Sequence, residues 1–147
     1  MKDTFQAYAT RRSLPMALLR ARETLMEVFR PLLARYDVTE QQWRVLRVVA
    51  EAGRLDATEV TVRASILAPS LTRILKNLEQ RTWIKRRKDA GDGRRVILEI
   101  TAAGEAFIER VFPEVSAVHV LLEEKIGATE LKKLLDMLET LNDVTLR

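Results

Sequence analysis

Apolar residues return with helical spacing along most of this chain. From Leu14, the positions Leu18, Ala21, Leu25, Phe29, Leu32 and Tyr36 recur every three or four residues, which predicts one face of a long first helix. Pro15 suits its first turn. Pro31 removes a backbone donor inside the pattern and predicts a bend or tolerated kink near residue 30. The segment TEQQWRVLRVVAEAG opens with Thr39 and Gln42 at capping-box spacing, sets Trp43, Leu46 and Ala50 on one side, and ends at Gly53. Asp56 and Glu59 repeat that spacing and predict a short helix to about Ala64. Pro69 then occupies a first-turn position, and Leu71, Ile74, Leu75 and Leu78 supply the apolar stripe of a helix from Ala68 to Arg81. Three short helices in tandem outline a helix-turn-helix unit.

The pattern changes at WIKRRKDAGDGRRVILEI, where β-branched and aromatic residues flank a polar DAGDG centre, as in a β-hairpin. Thr101 is placed to cap the next helix, in which Ile108, Val111, Phe112, Val115, Val118, Leu122 and Ile126 keep helical spacing until Gly127. A last amphipathic segment carries Leu131, Leu134, Leu135, Leu138 and Leu141. The expected fold is mainly α with a small β-hairpin. Scarce Gly (5) and Pro (4) agree with that expectation.

Composition narrows the function classes. With 147 residues, 47% of them hydrophobic, the chain has apolar material for one core or two closely joined units. It has no Cys, which removes disulfides, thiolate metal sites and thiol redox sensing, and which suits the cytoplasm. No apolar run approaches the roughly 20 residues of a membrane helix, and MKDTFQAYATRRSLP lacks the apolar core of a signal peptide. No nucleophile–base pair, paired carboxylates, glycine-rich phosphate loop or metal-ligand spacing points to an enzyme or a cofactor. The DAGDG stretch lacks the alternating ligands and terminal Glu of a calcium loop.

The net charge of +4 is unevenly spread. From Arg73 to Arg95, nine basic residues face three acids, whereas from Ala102 onward five basic residues face nine acids. One segment is therefore suited to a polyanion and the other is not. On the helix from Ala68, burial of the leucine stripe leaves Ser70, Thr72, Arg73, Lys76 and Asn77 outward, a mixture fit for phosphate and base contacts in a major groove. An ordinary solvated helix face has the same pattern. The hairpin adds Lys85, Arg86, Arg87, Lys88, Arg94 and Arg95 on a protruding element, which predicts a cationic wing for phosphates and a narrow minor groove. Solubilising charges on an exposed strand edge would look alike, and a helical module binding RNA or an acidic protein explains the charge equally well. RNA binding would usually bring aromatic stacking platforms, and only 5% of this chain is aromatic.

The segment D92-G-R-R-V-I-L-E-I-T-A-A-G104 resembles the wing of the multiple-antibiotic-resistance-regulator (MarR) family of transcriptional regulators, Asp-x-Arg followed by a strand, Thr, two residues and Gly. The resemblance covers nearly the whole chain. The runs LLRARETLMEVFRPLL, TEQQWRVLR and ILAPSLTRIL are more specifically similar to the subgroup that represses homoprotocatechuate and related aromatic-acid degradation operons. The resemblance implies a winged helix-turn-helix over residues 37–100 and a helical dimerisation region over 1–36 and 101–147. It makes Ala68 to Arg81 the recognition helix, Arg94 the wing-tip arginine and Asp92 the carboxylate that orients it, or a residue that merely shapes the turn. Ser70, Thr72, Arg73, Lys76, Arg86, Lys88, Arg94 and Arg95 are the expected DNA contacts, and the partners are double-stranded operator DNA and a second copy of the chain. One departure stands out: Thr82 replaces the Gly that usually ends the recognition helix.

The same resemblance implies an aromatic-acid effector between the dimerisation and DNA-binding regions. Such a site needs an apolar wall and a cation, which the first two helices offer in Arg20, Arg22, Met26, Trp43 and Arg47, with Arg22 and Trp43 preferred. Trp43 also lies on the apolar side of its helix, where plain core packing is the favoured use, and a dimer ion pair is an equal use for Arg22. The single histidine, His119, lies among apolar positions and reads as a core or interface residue.

Overall fold

The computed structural model describes residues 10–146, the side chain of Arg11 excepted; residues 1–9 and 147, assigned above to the helical flanks, lie outside the described residues. After a short 3-10 turn (Thr10–Arg12) the elements are α1 (Leu14–Ala34), α2 (Glu40–Ala52), β1 (Arg54–Asp56), α3 (Ala57–Ala64), α4 (Ala68–Gln80), β2 (Ile84–Lys88), β3 (Val96–Ile100), α5 (Ala102–Ile126) and α6 (Ala128–Asp143). The chain divides into two compact units, residues 1–111 and residues 112–147.

In the first unit, the caps explain where the helices begin. The Thr39 hydroxyl accepts the Gln42 N–H at 3.1 Å, and the Gln42 side chain accepts the Thr39 N–H at 3.0 Å, so the expected capping box is complete. Asp56 caps α3 differently: its carboxylate accepts from Thr58 N–H at 2.7 Å, while Glu59 pairs with Arg63 at 3.5 Å instead of closing a box. Pro31 lies inside α1, which continues only three residues beyond it.

The core gathers Leu33, Val45, Leu46, Val49, Val60, Leu78, Leu98 and Val111, all fully buried. Around Phe107 three aromatics converge. Trp83 stacks on it with ring centroids 3.9 Å apart, while Trp43 and Tyr36 approach edge-on at 6.4 Å.

The structure adds detail to two expectations. The hairpin belongs to a three-stranded antiparallel sheet in the order β1-β3-β2, because Arg54–Asp56 pairs with the free edge of β3, setting Leu55 opposite Leu98. In α1 the predicted stripe goes from exposed to buried along the helix: Leu14, Leu18 and Ala21 are exposed, Leu25 and Phe29 half-buried and Leu32 buried, with Met26 and Leu33 buried beside it. Its period is helical, and the described residues leave the first turns uncovered.

In the second unit, the remainder of α5 runs to Ile126, Gly127 breaks the helix at φ 105°, and α6 follows. Val120, Leu121, Leu134, Leu135 and Met137 are exposed there, and Leu131 is buried. His119 is not a core residue of the single chain: its side chain is exposed and lies 3.3 Å from Glu123.

Candidate nucleic-acid interface

The helix-turn-helix is formed by α3 and α4, joined through Ser65 in the left-handed region at φ 50°. That turn is held by Arg44 of α2, whose guanidinium donates to the carbonyls of Ala64 at 2.8 Å and Ser65 at 3.3 Å and pairs with Glu40 at 3.1 Å. A cation on the last carbonyls of a helix satisfies acceptors that have no intrahelical donor. Helix α4 buries Leu71, Ile74, Leu75 and Leu78 and leaves Thr72, Arg73 and Lys76 exposed, with Ser70 half-buried. The Thr72 hydroxyl donates back to the Ala68 carbonyl at 3.3 Å. Asn77, read as outward-facing, is half-buried and belongs to the packed side of the helix.

The end of α4 shows how the departure at Thr82 is accommodated. Thr82 N–H bonds to the Glu79 carbonyl at 2.9 Å and Trp83 N–H to the Leu78 carbonyl at 3.1 Å, the two bonds of a Schellman cap. This places Thr82 in the left-handed region at φ 62°, a conformation glycine adopts freely and a β-branched residue does not. The Thr101 hydroxyl donates to the Thr82 carbonyl at 2.6 Å and accepts from Gly104 N–H at 3.0 Å, while Thr101 N–H donates to the Trp83 carbonyl at 3.0 Å. Gly104 lies so close that a β-carbon there would sit 2.3 Å from the Trp83 carbonyl oxygen. The Thr-x-x-Gly element is therefore the joint between the end of α4, the hairpin and the start of α5.

On the wing the expected cations fall into two sets. Arg86 pairs with Glu79 of α4 at 2.6 Å, and Arg95 reaches Asp56 at 2.9 Å and Asp89 at 3.3 Å. Arg87 pairs with Glu99, which also takes Arg54 at 3.3 Å. Lys88 and Arg94, with Arg73 and Lys76 of α4, are exposed and have no ion pair among the described residues. Arg95 holds the Asp56 carboxyl below the ordinary carboxylate range, aided by the Thr58 N–H. Asp92 accepts the Arg94 N–H at 3.0 Å, and its carbonyl accepts the Arg95 N–H at 3.0 Å, so it shapes the turn that carries Arg94. Arg94 is left with its side chain in solvent, so this unit carries unpaired cations and hydroxyls of the kind that can meet a polyanion.

The effector candidates are less closely grouped. Arg22 pairs with Glu40 at 3.0 Å and lines a cleft of about 440 Å³ between α1 and α2 together with Arg30, Ala34, Val38 and Thr39. Met26 and Trp43 are buried, and Arg47 lies over the Trp43 ring at 5.9 Å while pairing with Glu51 at 2.9 Å. Neither Met26, Trp43 nor Arg47 lines the Arg22 cleft. Arg20, on α1, is exposed. Sequence reasoning missed β1, Arg44 and the acidic partners of the wing, because each depends on a contact between distant residues. Among the described residues no cluster of metal-ligating side chains occurs, and no helix is long and apolar enough to cross a membrane.

Comparison with known proteins agrees with this architecture. Residues 36–95 match the model of the MarR family. The chain is 41% identical to the HTH-type transcriptional regulator FarR of Neisseria gonorrhoeae, covering 88% of each chain. It is 37% identical to the homoprotocatechuate degradative operon repressor of Escherichia coli over 86% of each. The crystal structure of NadR in complex with 4-hydroxyphenylacetate superposes with a TM-score of 0.83 at 41% identity, covering 90% of this chain and 94% of that one. FarR is named as a transcriptional regulator and the second relative as an operon repressor, and the fold is shared with NadR: the chain belongs to the MarR family of winged-helix transcriptional regulators.

Proposed function

We propose that the protein is a ligand-responsive repressor of an aromatic-acid catabolic operon, acting in the cytoplasm as a homodimer on a pseudo-palindromic operator. The observation that carries this reading is the exposed polar face of α4 beside a wing whose Lys88 and Arg94 are unpaired among the described residues. In this reading Ser70, Thr72, Arg73 and Lys76 enter the major groove, while Lys88 and Arg94 meet phosphates and the minor groove. Two such units, related by a two-fold axis, read half-sites about 10 bp apart.

A second copy is supported by uncovered apolar residues in both flanking regions, Leu14, Leu18, Leu19 and Val28 on α1 and Val120, Leu121, Leu134 and Leu135 further on. Exposed apolar surface of this extent is characteristic of an interface. Residues 1–36 and 101–147 are accordingly the dimerisation region and 37–100 the DNA-binding domain.

The effector reading is supported by what two relatives carry in their names, homoprotocatechuate degradation in one and bound 4-hydroxyphenylacetate in the other. An aromatic carboxylate held by Arg22 in the cleft between α1 and α2 would displace Glu40 from that arginine, and one held by Arg47 beside Trp43 would displace Glu51. To release DNA it must bind the DNA-competent form less tightly; a hundredfold loss of operator affinity corresponds to a coupling of about 2.7 kcal/mol. The test is fluorescence anisotropy of DNA from upstream of the protein's own gene, titrated with 3,4-dihydroxyphenylacetate, 4-hydroxyphenylacetate and benzoate. Release by a hydroxylated phenylacetate is expected. Indifference to all three would retain the regulator and discard this effector class.

A further inference from the structure

We propose that Arg95 is a positioning residue, which fixes the wing against α3, and that it makes no phosphate contact of its own. The inference rests on the DNA-binding reading above. Its side chain bridges two carboxylates that belong to different elements: Nε donates to Asp56 Oδ2 at 2.9 Å, and Nη1 lies 3.3 Å from Asp89 Oδ2. Asp56 is both the last residue of β1 and the N-cap of α3, and its other oxygen accepts the Thr58 N–H at 2.7 Å. Asp89 closes the wing loop, donating its N–H to the Arg95 carbonyl at 3.0 Å. One guanidinium therefore joins the start of the helix-turn-helix to the root of the loop that carries Arg94.

The charges decide between two roles. A guanidinium already shared by two carboxylates has lost most of its attraction for a phosphate, and the Asp56 side chain is only 14% exposed, so exchange for an outside anion leaves a largely buried carboxylate without its partner. By contrast Arg94, immediately before it, has no ion pair among the described residues. The planar fork of arginine spans both acids, whereas a lysine reaches only one at a time. Neighbouring residues thus divide the work, Arg94 toward the nucleic acid and Arg95 toward the protein.

The two roles predict opposite signs for one substitution. Asp56→Asn keeps an acceptor for the α3 cap but removes a negative charge. If Arg95 contacted phosphate, the change would free a cation and tighten binding. If Arg95 positions the wing, the same change loosens the loop and weakens binding.

The experiment measures operator affinity against salt for the wild type, Asp56→Asn, Arg95→Lys and Arg94→Ala, with hydrogen exchange of loop amides 89–95 recorded in the DNA-free proteins. Asp56→Asn and Arg95→Lys are expected to lose at least fivefold in affinity with the salt slope unchanged, and to exchange the loop amides faster. Arg94→Ala should instead lower the slope by about 0.9 per protomer. Tighter binding by Asp56→Asn, or wild-type affinity for Arg95→Lys, would overturn the proposal. If the wild type binds no DNA selectively, the regulator reading fails. The exchange data still judge the positioning role, and unchanged loop protection would overturn it.

Discussion

Replacing Thr82 by Gly should make the protein more stable, although it removes a side chain and adds no contact. Thr82 stands at φ 62°, and an L-residue there costs about 1 to 2 kcal/mol, with a β-branched side chain at the upper end. Gly removes that cost but is more flexible when unfolded, which returns about 0.5 to 1 kcal/mol. Nothing else of note changes. The Thr82 side chain is exposed, and both bonds of its backbone, to the Glu79 carbonyl and from the Thr101 hydroxyl, survive in glycine. The net expectation is a gain of about 1 to 1.5 kcal/mol, or roughly 2 to 6 °C in Tm. Urea and thermal unfolding at a fixed protomer concentration would read it, because an associating protein's stability depends on concentration. Thr82→Ala, which relieves only the branching, should fall between wild type and Thr82→Gly. A Thr82→Gly protein no more stable than wild type would refute the left-handed assignment or the strain argued from it.

Other expectations follow from neighbouring contacts. Gly104→Ala would force a β-carbon against the Trp83 carbonyl and within 2.7 Å of Ile100 Cδ1, so a loss of about 2 kcal/mol or more is expected in urea unfolding. Wild-type stability would mean the joint is looser than drawn. Arg44→Ala leaves the Ala64 carbonyl without its donor and Glu40 without one of its cations; calorimetry should show about 2 kcal/mol of destabilisation. The depressed Asp56 carboxyl gives stability that is present above its ordinary value of 3.8 and lost as pH falls through the lower folded value. The stability difference between wild type and Asp56→Asn should therefore shrink on acidification below about pH 3.8; a difference independent of pH would remove the carboxylate's charge from the account.

Much of this fold was legible because local signals coincided with tertiary ones. Thr39 and Gln42 specify a cap within four residues, and the leucine stripe from Leu71 to Leu78 states which face of α4 is buried. Strand β1 was not legible, since Arg-Leu-Asp has no alternation long enough to read and is made a strand only by the unpaired edge of β3. The wing cations were visible as a class, but not their division. Arg95 and Asp56 are 39 residues apart, and Arg86 meets Glu79 across an element boundary, so charge counting could not tell paired arginines from unpaired ones. The period of α1 was readable, yet sequence periodicity cannot say whether the cover for Leu14 and Leu18 comes from the same chain.

The central claim is that the unpaired cations of α4 and the wing form a duplex-DNA surface. It is tested most directly by the salt dependence of binding to the DNA upstream of the protein's own gene, beside a scrambled duplex and a single strand of equal length. With Arg73, Lys76, Lys88 and Arg94 engaged on each of two protomers, log affinity should fall against log salt with a slope of roughly −7, and the upstream duplex should bind at least a thousandfold tighter than the scrambled one, by about 4 kcal/mol. A shallow slope, equal affinity for the scrambled duplex, or preference for the single strand would contradict it.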